Sequence, residues 1–191
     1  MKPQCVVFDI GGVLTYIDKT PLQNLCTAQN ISPHVFFDDD FLLLQRGTIN
    51  AREFFAKKSL VLQTAISSIE DAFAALMAHG APDILMNLKV PFMLASNINE
   101  YHYYRFLSLS QNFPCRPQAV LSYQVGYLKP SEPFFLHLKK KLPIATHEVV
   151  FIDDKPENLH MARYVGMQTA LCPSPRHLAH LLKKLDLLHE F

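Results

Sequence analysis

Four short stretches of the sequence carry residues whose chemistry goes beyond packing. Phe8-Asp9-Ile10-Gly11-Gly12-Val13-Leu14-Thr15 sets a carboxylate directly after an apolar run, with two glycines behind it that permit close backbone approach. Leu94-Ala95-Ser96-Asn97 ends a second apolar run in a hydroxyl, and a hydroxyl beside free N–H groups at a helix start makes an anion site. Tyr127-Leu128-Lys129-Pro130-Ser131 places a lysine just before another helix start. Phe151-Ile152-Asp153-Asp154-Lys155-Pro156-Glu157-Asn158 holds two adjacent carboxylates, which repel each other unless a cation offsets the charge. If Asp9 lies on a neighbouring strand edge, three carboxylates converge on one crevice. An oxygen-only site with few carboxylates that keeps several waters suits Mg²⁺. Each stretch also has a plainer reading: a Gly-Gly turn at Asp9, a helix cap at Ser96, a solvated Lys129, an acidic helix start at Asp153-Asp154. The single Gly-Gly pair, without a third glycine, is not a dinucleotide fingerprint.

The elements that must position these residues alternate in type. Cys5–Phe8, Phe92–Ala95, Ala119–Leu121, Val149–Ile152 and Thr169–Leu171 are short, apolar and without clear alternation, as expected for parallel strands covered on both faces. Helical patterns separate them, which predicts an α/β fold with a mostly parallel sheet and helices on both faces. In such a sheet ligands bind beyond the carboxyl ends of the strands, where all four stretches fall. Thr20-Pro21, Ser32-Pro33 and Ser174-Pro175 read as a capping hydroxyl followed by proline at the first helical position. Asn50 with Glu53 reads as a capping box. Gly47, Gly80 and Gly166 read as helix stops. The last helix is expected over 177–188, its leucines at helical spacing marking a core stripe. More than 80 residues separate the first two strands, far more than one crossover helix needs. Residues 16–80 therefore read as an inserted helical cap, with 1–15 and 81–191 forming the core domain.

With 18 basic and 17 acidic side chains among 191 residues, the formal charge is +1, and no basic face for nucleic acid is expected. The longest apolar stretches fall far short of the roughly 18 residues that a spanning helix requires, so no membrane partner is expected. Met1-Lys2-Pro3-Gln4-Cys5 runs straight into a strand without a signal-peptide core. Cys5, Cys26, Cys115 and Cys172 stand apart, with no CxxC pair. A reducing, cytoplasmic setting is expected.

In this order and spacing the four stretches resemble the motifs of the haloacid dehalogenase-like (HAD) superfamily of phosphohydrolases. The Phe8–Leu14 run is similar to its first motif, Ser96-Asn97 to its second, Lys129-Pro130 to its third, and Asp153-Asp154 with Asn158 to its fourth. The helical insert resembles the family's small cap, including Gln45-Arg46-Gly47-Thr48-Ile49, and the nearest branch is the one resembling α-D-glucose-1-phosphate phosphatases. The resemblance implies a Rossmann-like core and a Mg²⁺-dependent phosphatase acting on a small phosphorylated metabolite, a sugar phosphate above all. It assigns Asp9 as nucleophile forming an aspartyl-phosphate, with Ser96 and the Asn97 backbone N–H holding the phosphoryl oxygens. Lys129 would balance charge and orient Asp9. Mg²⁺ would be held by Asp9, the Gly11 carbonyl, Asp153 and Asp154, with Asp154 the more direct ligand of the pair.

Gly11 departs from the family's usual pattern, which has a second aspartate there as general acid. Proton delivery to a leaving alkoxide contributes about 10²–10⁴-fold. Its loss favours anomeric or acyl phosphates, or a slow enzyme, or none; the glucose-1-phosphatase-like branch also has glycine here. Arg46, Gln45, Tyr16 and Asp18 are candidate contacts to the leaving group, each with a solvated or packing role as the alternative. Tyr101-His102-Tyr103-Tyr104 reads as packing or an oligomer surface rather than a sugar-stacking platform, and no histidine stands in a recognisable catalytic arrangement. Two other functions stay open at this point: a phosphate-binding regulatory module that has lost its chemistry, and a hydrolytic dehalogenase. The second has no use for the Asp153-Asp154 pair.

Overall fold

The computed structural model describes residues 2–77, 79–80, 82–109 and 116–189. Five strands form one parallel sheet in the order β3-β2-β1-β4-β5: β1 Cys5–Phe8, β2 Phe92–Ser96, β3 Ala119–Leu121, β4 Val149–Asp153 and β5 Gln168–Leu171. The chain adds strands to one side of β1 and then to the other. A crevice therefore opens above β1, at the point where the strand order reverses.

The unbroken apolar runs of the strands are divided by the two-residue pleat. Val6, Phe8, Leu94, Val150 and Ile152 point to one face. There they meet Tyr103 and Phe106 of α5 (Glu100–Leu109) and Leu178 and Leu182 of α9 (Pro175–Lys184). Cys5, Val7, Met93, Ala95, Val149 and Phe151 point to the other, against Phe134, Phe135 and Leu138 of α7 (Glu132–Lys141) and Leu159 and Ala162 of α8 (Pro156–Tyr164). Edge strand β5 departs from the expected two-sided burial: Gln168, Thr169 and Ala170 are half-buried and Leu171 is exposed, because no strand lies beyond it. Cys5, Cys26 and Cys172 are buried free thiols, and Cys115 lies outside the described residues.

Between β1 and β2 the chain forms α1 Thr20–Ala28, a 3-10 turn Pro33–Phe36, α2 Asp39–Gln45, α3 Ala51–Leu62 and α4 Ile66–Ala75. These helices share a hydrophobic cluster of their own, centred on Leu22, Phe36, Phe54, Phe55, Ile69 and Phe73, with Tyr101 of α5 packed against it. Lys58 of α3 is buried among them, its ammonium 2.6 Å from Asp38 and 3.5 Å from Asp40.

Several local signals work differently from the sequence expectation. Thr20 does not cap α1: Lys19 holds the cap position without a side-chain bond, and Asp18 Oδ1 accepts from the Thr20 N–H at 2.9 Å. Ser32 accepts from the His34 N–H as expected, but it opens a single 3-10 turn. Asn50 Oδ1 caps α3 by accepting from the Glu53 N–H at 2.9 Å. Gly47 and Gly166 follow helix ends at positive φ, as read. Gly80 is no helix stop, since α4 ends at Ala75. Gly80 pairs with Thr15, and a Cβ there would sit 2.8 Å from the Leu14 carbonyl oxygen. The final helix begins earlier than expected, and its leucine stripe is core: Leu178 and Leu182 are buried, with Leu181 and Leu185 packed against them. No helix among the described residues is long and apolar enough to cross a membrane.

Candidate active site

Asp9 follows β1 directly and Asp153 ends β4, so register alone brings the two carboxylates to the same edge. Asp9 is 6% exposed and Asp153 is fully buried. Between them lies Lys129, whose ammonium is 2.6 Å from Asp153 Oδ2 and 3.0 Å from Asp9 Oδ1, and also donates to the Ala95 carbonyl at 2.9 Å. All three ammonium hydrogens thus have acceptors. Burial works against the Lys129 charge, but the two carboxylates overcome it and hold its pKa above the ordinary lysine range. Burial pushes Asp9 up; Lys129 opposes that and the Asp153 charge adds to it. The Ile10 N–H donates to Asp9 Oδ1 at 2.7 Å, and the Ser96 hydroxyl also donates to this carboxylate.

Lys129 is placed by a clamp. Asn97, just beyond β2, accepts from the Lys129 N–H through Oδ1 at 2.7 Å and donates through Nδ2 to the Lys129 carbonyl at 2.9 Å. The Asn97 side chain is spent on this bridge, which leaves its backbone N–H as the group it can offer a ligand. The Lys129-Pro130 bond is cis. Asp153 is equally committed: beyond Lys129, its Oδ1 accepts from the Lys155 N–H and the Asn158 amide, each at 2.9 Å.

Asp154 is different. Its Oδ1 is buried and has no hydrogen-bond partner among the described residues. Burial, followed by the charges of Asp9 and Asp153, pushes its pKa up to about 6. One carboxylate oxygen from each of Asp9, Asp153 and Asp154 lies within 4.8 Å of the others. An unpartnered buried carboxylate oxygen amid like charges is what a hard divalent cation offsets, and the all-oxygen donor set fits Mg²⁺. Gly12 makes the arrangement possible. Its φ is +83°, and a Cβ there would fall 2.5 Å from Asp154 Oδ2. The turn is locked by the Ile10 carbonyl, which accepts from the N–H groups of Leu14 at 2.9 Å and Thr15 at 3.0 Å.

These groups form the floor of a cavity of about 380 Å³. Its opposite wall comes from the inserted helices and the segment leading into them, through Ile17, Lys19, Phe37, Phe41 and Gln45. No family model matches the sequence. A D-ribitol-5-phosphate phosphatase from Bacteroides thetaiotaomicron is 24% identical over 187 residues, covering 86% of this chain and 89% of that protein. A HAD family enzyme from the same organism superposes with a TM-score of 0.84 at 23% identity, over 95% of this chain and 99% of that one. Its complex with magnesium and inorganic phosphate gives a TM-score of 0.80 at 25% identity, over 94% and 98%. The chain has the HAD fold. A 2-haloacid dehalogenase from Pseudomonas syringae shares that fold more loosely, with a TM-score of 0.61 at 16% identity over 96% and 99% of the two chains.

All seven residues expected at the site of this HAD fold stand at one strand edge, and six of them, Asp9, Gly11, Ser96, Asn97, Lys129 and Asp154, line the cavity. Asp153 lies beneath them, bonded to Lys129. Of the four expected leaving-group contacts, only Gln45 lines the cavity. Tyr16 is 44% exposed, Arg46 closes α2 and Asp18 accepts from the Thr20 N–H. Lys19, Phe37 and His102 are among the lining residues that the sequence does not assign to the site. Lys19 and Phe37 lie in loops whose fold carries no local signal, and His102 was read with its aromatic neighbours as packing. That packing is real, since His102 stacks on Phe73 with ring centroids 4.2 Å apart. Its Nδ1 meets the Asn99 amide at 3.1 Å and its Nε2 the Phe73 carbonyl at 2.7 Å. Burial pushes the His102 pKa down to about 4, so the ring is neutral, donating from Nε2 and accepting at Nδ1.

Proposed function

We propose that this chain is a Mg²⁺-dependent phosphatase that uses Asp9 as nucleophile on a small phosphorylated metabolite of the sugar- or polyol-phosphate type. The observation that carries the reading is the pairing of Asp9 with a fully engaged Lys129 beside an Asp154 oxygen that has no partner among the described residues. A nucleophilic carboxylate facing a phosphate dianion must have its charge offset and its position fixed, and electrostatic alignment supplies most of the catalysis in such transfers. An Asp9 oxygen attacks phosphorus, the phosphorus–oxygen ester bond breaks, and the leaving alkoxide takes a proton from solvent. Water then attacks the phosphorus of the acyl phosphate, releasing inorganic phosphate and restoring the carboxylate. Ser96 and the Asn97 N–H hold the phosphoryl oxygens, and Lys129 orients Asp9. Asp9, the Gly11 carbonyl and Asp154 would hold the metal, and the Asp153 carboxylate would add negative charge beside it while anchoring Lys129. When bound, the ion supplies positive charge for the transferring phosphoryl group. The segment 16–80 serves as the cap over the site.

The ribitol phosphate specificity of the similar Bacteroides phosphatase supports the substrate class. Gly11 supports the easier leaving groups within it: a Cβ at this position would meet Ile17 Cδ1 at 3.2 Å, so an apolar side chain occupies the space next to the missing acid. A dehalogenase reading leaves the Asp154 oxygen without a purpose, because halide displacement by a carboxylate requires no metal. The test is phosphate release from sugar, polyol, acyl and activated aryl phosphates, with Mg²⁺, with chelator and with Asp9→Asn. Release that depends on Mg²⁺ and vanishes in the variant supports the reading; no release from any ester overturns it.

A further inference from the structure

The cavity has two polar ends. Its floor is the carboxylate and lysine cluster, and its far wall is mostly apolar, with Phe37, Phe41 and Ile17 around a single cation, Lys19. The three lysines that line the cavity differ in what they face. Lys129 is bonded to Asp9 and Asp153. Lys155 has no ion pair among the described residues either, but it lies at the floor in the field of Asp154. Among the described residues Lys19 has no carboxylate within ion-pair distance and no hydrogen-bond acceptor for its ammonium. Its neighbour Asp18 is turned to the Thr20 N–H instead. The Lys19 ammonium rests 4.8 Å from the centre of the Phe37 ring, which favours the charge but accepts none of its three hydrogens.

Its backbone is fixed. The Asp18 N–H donates to the Leu76 carbonyl at 3.0 Å, and the Lys19 carbonyl accepts from the Gln23 N–H at 3.0 Å in the first turn of α1. The cation is therefore carried on an anchored segment and rests on an aromatic ring that lines the same cavity, with all its donors free.

We infer that Lys19, seated on Phe37, receives a second anionic group at the leaving-group end of the substrate. The substrate is then a small metabolite with a phosphate ester at one end and a carboxylate or second phosphate at the other. This rests on the phosphatase reading and narrows its substrate class. The Lys19–Phe37 pair is the specificity element, and the apolar wall between the two polar ends contacts the carbon chain. Lys19 is exposed at the cavity mouth, and a charge-assisted hydrogen bond from it to the second anion should raise kcat/KM by about tenfold.

The experiment compares aldonate phosphates with alditol phosphates of equal carbon count, and sugar bisphosphates with the matching monophosphates, in Mg²⁺. Wild type should favour the doubly anionic member of at least one pair by about tenfold, and the responding pair tells carboxylate from phosphate. Lys19→Met should erase that preference by raising KM for the doubly anionic member, and Lys19→Arg should restore most of it. Equal rates within every pair, a preference for the neutral member, or a Lys19→Met loss of the same size for both members would overturn the inference. An activated aryl phosphate separates the two readings: if wild type hydrolyses it but shows no preference, only the Lys19 assignment falls. If wild type hydrolyses nothing, the phosphatase reading falls and the assignment with it.

Discussion

Asp154 is the residue at which metal binding and stability meet. With its pKa raised to about 6, the folded metal-free protein keeps a proton on Asp154 that the unfolded chain has already lost above about pH 4. Its contribution to stability is therefore present below that pH and is lost as pH rises through about 6. On the proposed assignment of Asp154 to the metal, Mg²⁺ takes the ionised carboxylate and should reverse that loss. At a concentration near a hundred times Kd it should stabilise by about 2.7 kcal/mol, or roughly 5–10 °C for a chain of this length. The expected result is a Mg²⁺-induced rise in Tm at pH 7.5 that shrinks at pH 5 and is largely absent in Asp154→Asn. An undiminished rise in the variant would remove Asp154 from the metal site. His102 acts with the opposite sign. Its pKa, lowered to about 4, makes it a neutral ring whose contribution is present above its ordinary value near 6.5 and lost as pH falls through 4. The stability advantage of wild type over His102→Gln, read from urea unfolding, should shrink by up to about 3 kcal/mol between pH 7 and 4. A difference independent of pH would contradict the neutral tautomer.

Among the elements, the helices inserted between β1 and β2 are joined to the loop after β2 through α6 (Ser122–Val125), a single turn that follows β3. The Ser122 hydroxyl is fully buried, 2.7 Å from the Gln45 carbonyl and 3.0 Å from the Ile98 carbonyl, and it accepts from the Ile98 N–H at 2.9 Å. Beside it, Gly47 lies so close that a Cβ would fall 2.2 Å from the Tyr123 carbonyl oxygen. Ser122 thus ties the end of α2, where Gln45 faces the cavity, to the residue after Ser96-Asn97. Ser122→Ala leaves buried backbone groups unpaired, a cost of about 1–3 kcal/mol. The variant should melt lower and bind inorganic phosphate more weakly, as measured by product inhibition. Unchanged phosphate inhibition would limit Ser122 to a role in stability. The sheet and the four motifs were legible in the sequence because apolar runs and the turns that end them are local signals. Asp9, Ser96 and Asp153 sit within one residue of where such runs stop, whereas Lys129 lies eight residues beyond β3, after α6. The joint at Ser122, the Asn97 clamp and the placement of Lys19 were not legible. Each depends on partners tens of residues away, and nothing local distinguishes Ser122 from any other helix-start serine. Gly80 misled for the same reason, since its requirement is a long-range approach to Leu14 rather than a helix end.

For the whole molecule, two sheet faces and a separate cap cluster hold a strand edge at which charge is concentrated. A net charge of +1 leaves no broad field to steer ligands, so recognition rests on groups inside the cavity. The fold explains why those groups sit together: β1 lies between β2 and β4, and three of the four motifs end on these adjacent strands. The claim on which all else depends is that Asp9 becomes covalently phosphorylated. The most direct measurement is acid quenching during turnover of an activated phosphate ester with Mg²⁺, followed by mass spectrometry of the peptides. One added phosphoryl group is expected on the Asp9 peptide, lost on treatment with neutral hydroxylamine and absent with chelator or in Asp9→Asn. Turnover with no phosphorylated Asp9 peptide, together with undiminished phosphate release by Asp9→Asn, would contradict it.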